Sequence, residues 1–383
     1  MIYLDNAATT FPKPRAVLDA VSAAGRYYGA NPGRSGYKMA MDTTEMIYAC
    51  RKKAVRLFDA GQPENVAFMP SCTAAINAVL KGILQSGDHV VVSDLEHNAV
   101  MRPLEGLKER GITWTAAHVT PGDNDATVDA FRKAICGNTK LVICTHASNV
   151  FGVRLPIERL AALAHAYGIL FAVDAAQSAG VLPLRMREDH LDFICIAGHK
   201  GLYGPMGTGM LITDKGHLLK PFCEGGTGSL SQQLIQPEMM PDRFESGTLN
   251  VPGIAGLSRG LDFVLQKTPE RIHRAEMQWI NVLHVRLQHI TGVKLYVSTP
   301  DDLYSAPVLS FNIGDVPSEE AGAALAREGI AVRCGLHCAP MAHRTFGTEE
   351  TGTVRISPSV FSTKNELDKL VMAVTRIVKY EKK

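Results

Sequence analysis

Lys200 is the first residue of this chain whose setting suggests covalent chemistry. It lies in Gly198-His199-Lys200-Gly201, after the apolar run Phe193-Ile194-Cys195-Ile196-Ala197 and before a glycine-rich turn that reaches Gly209. A solitary lysine is ordinarily a solvated surface charge, but these flanks belong to a buried strand end and a tight turn. In a desolvated pocket a lysine loses basicity and can form a Schiff base with a carbonyl cofactor. Asp174 ends another apolar run, Leu170-Phe171-Ala172-Val173, and opens Asp174-Ala175-Ala176-Gln177. Alone it reads as a turn or cap residue. Beside Lys200 it has a sharper reading, because a lysine that carries pyridoxal 5'-phosphate needs a carboxylate partner for the pyridinium nitrogen. Asp174 stands one strand–helix–strand step before Lys200, and Gln177 would then point at the phenolic oxygen of the ring.

Ser71-Cys72-Thr73 precedes a helical stretch. A plain N-cap is the ordinary reading, yet a helix N-terminus also offers free N–H groups and a positive dipole end to a phosphate. His199 is an additional donor there, and His97, in Leu95-Glu96-His97-Asn98, could stack on a flat ring. Cys334, His337, Cys338 and His343 could instead form a metal cluster, but their spacing fits no common zinc pattern, so no metal is expected.

Those residues need elements to position them. Strand-like runs at Val66–Met69, His89–Ser93, Thr113–His118, Lys140–Thr145, Leu170–Val173 and Phe193–Ala197 alternate with helical stretches at Thr73–Leu84, Ala99–Arg110, Thr127–Ile135 and Ile157–Tyr167. Several runs are apolar on both faces, as strands covered by helices on both sides must be. The pattern predicts an α/β fold with a mostly parallel central sheet, whose carboxyl edge gathers the polar residues just named. A long loop is expected over Gly225–Gly253, then a helix at Ile254–Leu265, and another capped by Thr268 with Pro269 in its first turn. Strands at Val308–Ile313, Ala331–Arg333 and Val354–Ile356, with helices at Ser318–Glu328 and Glu366–Val378, suggest a smaller α+β C-terminal domain. The expected division is 15–258 for the large domain, with 1–14 and 259–383 forming the small one.

The 383 residues suffice for both cores, and 40 basic against 38 acidic residues leave a net charge of only +2. That balance points to neither nucleic acid nor an anionic membrane surface. No signal peptide or bilayer-length apolar run is visible, so a cytoplasmic protein is expected, with its eight cysteines reduced.

The ordered motifs reach further. They are Tyr3-Leu4-Asp5-Asn6-Ala7-Ala8, Glu96-His97, His146-Ala147-Ser148-Asn149-Val150-Phe151-Gly152, Val173-Asp174-Ala175-Ala176-Gln177, Gly198-His199-Lys200, Arg243-Phe244-Glu245-Ser246-Gly247-Thr248 and Arg333-Cys334-Gly335-Leu336-His337-Cys338. With them the chain resembles the fold-type I pyridoxal-phosphate enzymes of aminotransferase class V, almost end to end, and specifically the cysteine desulfurase and selenocysteine lyase branch. The resemblance implies that Lys200 holds the cofactor and shuttles the proton, while His97 stacks on the ring. Asp174 would pair with the pyridinium and Gln177 with the phenolic oxygen. Thr73 and His199 would bind the phosphate, joined by Thr248 from the second subunit of a homodimer. Asn149 and Arg355 would hold the substrate carboxylate, with Arg333 nearby. Cys338 would take the sulfur as a persulfide, on the short form of its loop, for delivery to an acceptor protein. It needs a lowered pKa for this, with Arg333 and His337 as local helpers.

The chain departs from the resemblance in four places. Ala197 stands where many relatives have a phosphate-binding Ser, so Cys72, Ser71 or main-chain N–H groups must substitute; Gly201 is inserted after Lys200; Cys334 replaces a Thr; and Leu336 replaces a His. The activity implied is conversion of L-cysteine to L-alanine. The alternatives are selenocysteine lyase and another carbon–sulfur lyase or aminotransferase.

Overall fold

The computed structural model describes residues 1–33 and 36–381; the last two residues of the expected small domain lie outside them. A seven-stranded sheet runs in the order Val66–Met69, Gly209–Ile212, Phe193–Ala197, Leu170–Asp174, Thr139–Thr145, His89–Ser93, Thr113–Ala117. The last five of these strands are mutually parallel. Gly209–Ile212 runs antiparallel to both its neighbours. It is short and follows a glycine-rich turn, so it left no strand signal of its own in the sequence.

Alternation along each strand builds two cores, one on each face. Val91, Val142, Phe171, Val173, Ile194 and Ile196 point to one side. Val90, Val92, Leu141, Ile143, Ala172 and Phe193 point to the other. Side chains on a strand alternate faces, so an all-apolar run is what a doubly covered sheet demands. Cys72–Ile83 and Asn98–Leu107 cover the second side. Asn124–Ala134 and Ile157–Ala166 cover the first, near the long helices Lys38–Phe58 and Val251–Lys267. Two early helices, Arg15–Tyr27 and Lys38–Phe58, lie outside the stretches read as regular in the sequence. One expectation fails: residues 175–192, between Asp174 and Phe193, contain no helix. The step from Asp174 to Lys200 is strand–loop–strand.

A second, antiparallel sheet contains Arg333–Gly335, Thr353–Ile356, Leu309–Ile313 and Val293–Leu295 in that order. Pro269–Gln288, Ser318–Arg327 and Lys364–Glu381 pack against it around Leu309, Phe311, Val354 and Ile356. The strand expected at Ala331–Arg333 is two pieces. Ile330–Ala331 pairs in parallel with Ile2–Tyr3, and Arg333–Gly335 joins the second sheet. The helix expected at Ile254–Leu265 spans Val251–Lys267, so the long loop ends earlier and the helix runs through residue 258. Its N-cap is Asn250, whose side chain accepts from the Gly253 N–H at 3.0 Å.

One buried ion pair ties the long loop to the large core. Arg51 Nη2 lies 2.5 Å from Glu245 Oε2. Glu245 Oε1 accepts from the Phe68 N–H at 2.6 Å, and Arg51 also donates to the Val66 carbonyl. Burial pushes the Glu245 carboxyl up, and the Arg51 charge opposes that shift. A carboxylate this deep depends on its cation. Arg51→Met is therefore expected to lower unfolding free energy by roughly 3–5 kcal/mol, measured by urea denaturation. The double variant with Glu245→Gln should recover much of the loss.

Candidate active site

The residues singled out from the sequence meet at the carboxyl ends of the parallel strands, where α/β folds bind ligands. Asp174 ends the central strand Leu170–Asp174 and is 3% exposed. Its Oδ1 accepts from the Ala176 N–H at 2.9 Å and from the Cys72 thiol at 3.3 Å. No hydrogen bond reaches its Oδ2 from the described residues. Burial, reinforced by the Asp174 charge, pushes the Cys72 thiol well up, so it stays a donor. This corrects the expectation for Cys72: it opens the helix with its side chain turned inward and orients Asp174 instead of standing in for a phosphate-binding Ser.

Lys200 shares this pocket without an ion pair to Asp174 among the described residues. Burial lowers its basicity; Asp174 opposes the shift, whereas Arg355 and Arg333 add to it. The turn beyond it explains Gly201, because a Cβ there would sit 2.5 Å from the Ala179 carbonyl oxygen. Lys13 Nζ donates to the His199 carbonyl at 2.6 Å, and Thr10 Oγ1 to the Lys200 carbonyl at 3.1 Å.

His97 caps the helix Asn98–Leu107, its Nδ1 accepting from the Ala99 N–H at 2.9 Å. Burial lowers its pKa; the ring is neutral, with its proton on Nε2. Burial, with Lys200 and Lys13, lowers His199 to about 4, and its Nδ1 is buried without a hydrogen-bond partner among the described residues. Ser71 caps the helix Cys72–Ile83 by accepting from the Ala74 N–H at 3.2 Å, which leaves its own O–H free to donate. Thr73 lines a cleft of 730 Å³ together with His97 and Cys338. Gln177 Nε2 donates to the Ala7 carbonyl at 3.0 Å and borders a smaller pocket with Lys200.

Arg355 is 2% exposed, with Nη1 donating to the Asn149 carbonyl at 2.9 Å and Nη2 paired to Asp5 Oδ1 at 2.7 Å. Its Nε is buried without a hydrogen-bond partner among the described residues. Arg333 stands directly opposite Arg355 in the antiparallel register and is exposed. Cross-strand partners share a sheet face, so two guanidinium groups flank the place where a substrate carboxylate is expected. Asn149 Nδ2 donates to the His337 carbonyl at 2.8 Å. Thr248 is exposed and makes no hydrogen bond to these residues within the described chain.

Cys338 is exposed, with φ 57°, and its carbonyl accepts from the Asn98 N–H at 2.7 Å. This bond fastens the cysteine hairpin beside His97. Cys334 faces the other way, against Gly322, where a Cβ would collide with its sulfur. Burial raises its thiol to about 11. His337 does not face Cys338 as a base. Its ring nitrogens meet His343 and the Arg333 carbonyl, and burial, followed by the Arg355 charge, lowers it to about 2.

Two residues of the quoted motifs to which the sequence assigned no role belong to the site. Asp5 meets Arg355 across 350 residues, and Glu96 lies beneath the strand ends, accepting from Ser93 Oγ and from the Thr145 N–H at 2.9 Å. Burial raises Glu96 to about 8. A carboxyl at a helix-turn position carries no mark of such depth.

The residues present fit a phosphorylated pyridine aldehyde. Asp174 keeps one oxygen for a ring nitrogen, Lys200 is a weakened amine, His97 is a neutral ring, and an unpartnered His199 nitrogen stands near a helix N-terminus. Sheet order and site together define a fold-type I pyridoxal-phosphate enzyme. Residues 2–370 match aminotransferase class V. A relative from Methanothermobacter thermautotrophicus named "Probable cysteine desulfurase" is 35% identical over 378 residues, covering 96% of this chain and 92% of that one. A "Cysteine desulfurase" from Synechococcus elongatus is 34% identical, covering 98% of this chain; the chain spans 60% of its length. A solved apo cysteine desulfurase from Thermococcus onnurineus superposes with a TM-score of 0.90 at 29% identity, over 99% of this chain and 95% of that one. The chain belongs to the aminotransferase class-V family.

The thiols divide sharply by exposure. Iodoacetamide on the native protein is expected to label Cys136, Cys223 and Cys338 and to spare Cys50, Cys72, Cys144 and Cys195. Mass spectrometry before and after unfolding checks this.

Proposed function

We propose that the protein is a pyridoxal-phosphate-dependent cysteine desulfurase that converts L-cysteine to L-alanine and leaves the sulfur on Cys338 as a persulfide. The observation that carries this reading is the exposed Cys338, fastened to Asn98 in the same cleft as His97 and Thr73. When bound, pyridoxal phosphate supplies an electron sink for the carbanion at the substrate Cα. Lys200, Asp174, His97, Gln177, Thr73 and His199 would hold it, helped by Ser71 and the helix N-terminus because Ala197 carries no hydroxyl. Lys200 Nζ is the proton carrier. Weakened by burial, it takes the proton from the substrate Cα; as alanine forms, Cα regains a proton and Cβ receives one, the latter balancing the proton the Cys338 thiol gives up in becoming a thiolate. Arg355 and Arg333 receive the substrate carboxylate, and Asn149 holds the floor beneath it. The Cys338 thiolate attacks the substrate sulfur. The sulfur–sulfur bond forms as the Cβ–S bond breaks, its electron pair staying with Cβ.

The same reading takes the protein as a homodimer. Thr248 is exposed and lies three residues beyond Glu245, which the ion pair with Arg51 anchors, while Leu234 and Ile235 nearby are 104% and 72% exposed. These features support Thr248 reaching the phosphate of a second copy. A persulfide must be passed on, so an acceptor protein is part of the proposal, as is a cytoplasmic location for eight unpaired thiols. No described helix is long and apolar enough to cross a membrane. We place the domain break near Thr268, where one helix ends and the next begins, and not within the helix at 258.

Purified protein loaded with pyridoxal phosphate is expected to release alanine from L-cysteine, with sulfide appearing on reduction. Cys338→Ala should abolish this while keeping the yellow cofactor absorbance. Lys200→Ala should lose the absorbance and slow turnover roughly 10²–10⁴-fold. Alanine from Cys338→Ala at the wild-type rate, or pyruvate and ammonia in place of alanine, would overturn the assignment.

A further inference from the structure

Two consecutive residues other than glycine, His337 and Cys338, adopt left-handed backbone angles, φ 52° and φ 57°. Side chains with a Cβ resist that region, so something outside the two residues must hold them there. Behind them lies a chain of buried polar groups that the proposed chemistry does not use. His337 Nε2 lies 3.4 Å from the Arg333 carbonyl oxygen, His337 Nδ1 lies 3.4 Å from His343 Nε2, and His343 Nδ1 lies 2.7 Å from Thr348 Oγ1.

Elementary valence orients the whole chain. A carbonyl oxygen only accepts, so His337 carries its proton on Nε2. A neutral imidazole then accepts at Nδ1, so His343 Nε2–H donates to it. His343 Nδ1 is left to accept from the Thr348 hydroxyl. Burial keeps both rings neutral, lowering His343 to about 4 and His337 to about 2. The rings are parallel within 7°, centroids 5.6 Å apart. Phe151 packs on His343 at 5.6 Å and stacks on Phe346 at 3.9 Å. His343 and Thr348 are 0% and 1% exposed. One end of the chain is rooted in the core and the other grips the strand that begins the cysteine hairpin.

We propose that His343 is a positioning residue for Cys338: through His337 it holds the hairpin of residues 333–338 in its strained form, so that the thiol stands where the reacting sulfur arrives. This role rests on the desulfurase reading for its catalytic consequence. The hairpin's fixation does not depend on that reading and can be measured separately. The reporter is the Asn98 amide, which opens a helix and, among the described residues, bonds to the Cys338 carbonyl alone. The Ala339 amide, bonded to the Leu336 carbonyl at 2.9 Å, reports on the same hairpin.

The test compares the wild-type holoenzyme with His343→Phe, which keeps a ring against Phe151 and removes both nitrogens. Thr348→Val is the second variant should the first fold poorly. Hydrogen exchange at Asn98 and Ala339 is expected to accelerate about tenfold or more, while the core strand Phe193–Ala197 keeps its protection. Turnover of L-cysteine should fall about 10- to 100-fold through misplacement of Cys338. Selenium leaves more readily than sulfur, so turnover of L-selenocysteine should stay within about twofold. Unchanged exchange at Asn98 and Ala339, or acceleration shared by the core strand, overturns the proposal. An equal loss with both substrates overturns it too. If the wild type makes no alanine from L-cysteine, the desulfurase reading fails, and the exchange measurement alone decides whether His343 positions the hairpin.

Discussion

An amine and a carboxylate share one buried pocket here and must not neutralise each other. Asp174 ends one strand and Lys200 lies in the turn just beyond the adjacent strand Phe193–Ala197, yet no ion pair joins them within the described residues. In low dielectric such a pair would close readily, and a closed pair would leave neither group free to bind anything else. Two features keep them apart. Asp174 is pinned through one oxygen by Ala176 and Cys72. Lys200 emerges from a turn in which Gly201 presses against the Ala179 carbonyl, leaving no room for a side chain there. The rest of the site accepts that separation. Arg355 and Arg333 disfavour the charged lysine from one side while Asp174 favours it from the other. The pocket therefore has a negative wall and a positive wall with a weakened amine between them.

The positive wall is itself held by the chain's first residues. Asp5 takes one edge of Arg355, the Asn6 side chain donates to the Ser357 carbonyl at 2.9 Å, and the Ala7 carbonyl receives Gln177. Ile2–Tyr3 adds a strand beside Ile330–Ala331. This N-terminal segment thus touches the second sheet, the lysine turn and the loop after Asp174, so both halves of the molecule meet at the site through one short stretch. Removing a substrate-sized anion from Arg355 does not leave that cation bare, because Asp5 already compensates it at a cost in desolvation.

This division of labour explains what could be read in advance. The parallel strands were legible because a doubly covered strand must be apolar at every position, a signal carried within each run. Lys200, Asp174, His97 and Thr73 were legible because each follows such a run, and strand ends are where α/β folds present chemistry. Residues 175–192 misled because a βαβ rhythm predicts a helix wherever two parallel strands follow each other, and here a loop makes the crossing. Cys72 misled for a different reason. A helix's first turn offers two directions, toward solvent or toward the sheet, and only packing decides that its thiol meets Asp174. Ala331–Arg333 looked like one strand because nothing local records that its two halves pair with different partners. Contacts across 350 residues, such as Asp5 with Arg355, leave no periodicity at all.

The position of Cys338 follows from the same economy. Apart from Arg333 at the rim, the other groups proposed to act on the substrate are buried or half-buried, because weakened amines and unpaired nitrogens require a dry pocket. A thiol that must pass sulfur onward cannot share that burial. It has to reach the pocket and also face outward, which an interior strand residue does not do. A left-handed hairpin on the second sheet meets both demands, since it lifts the side chain off the strand while its carbonyl stays bonded to Asn98 beside His97. Such a turn is costly for residues with a Cβ, and the buried histidine chain beneath it is where that cost is offset. The exposed cysteine and the deeply buried His343 are therefore two ends of one structural solution: reactivity at the surface, held in place by polar groups that water never reaches.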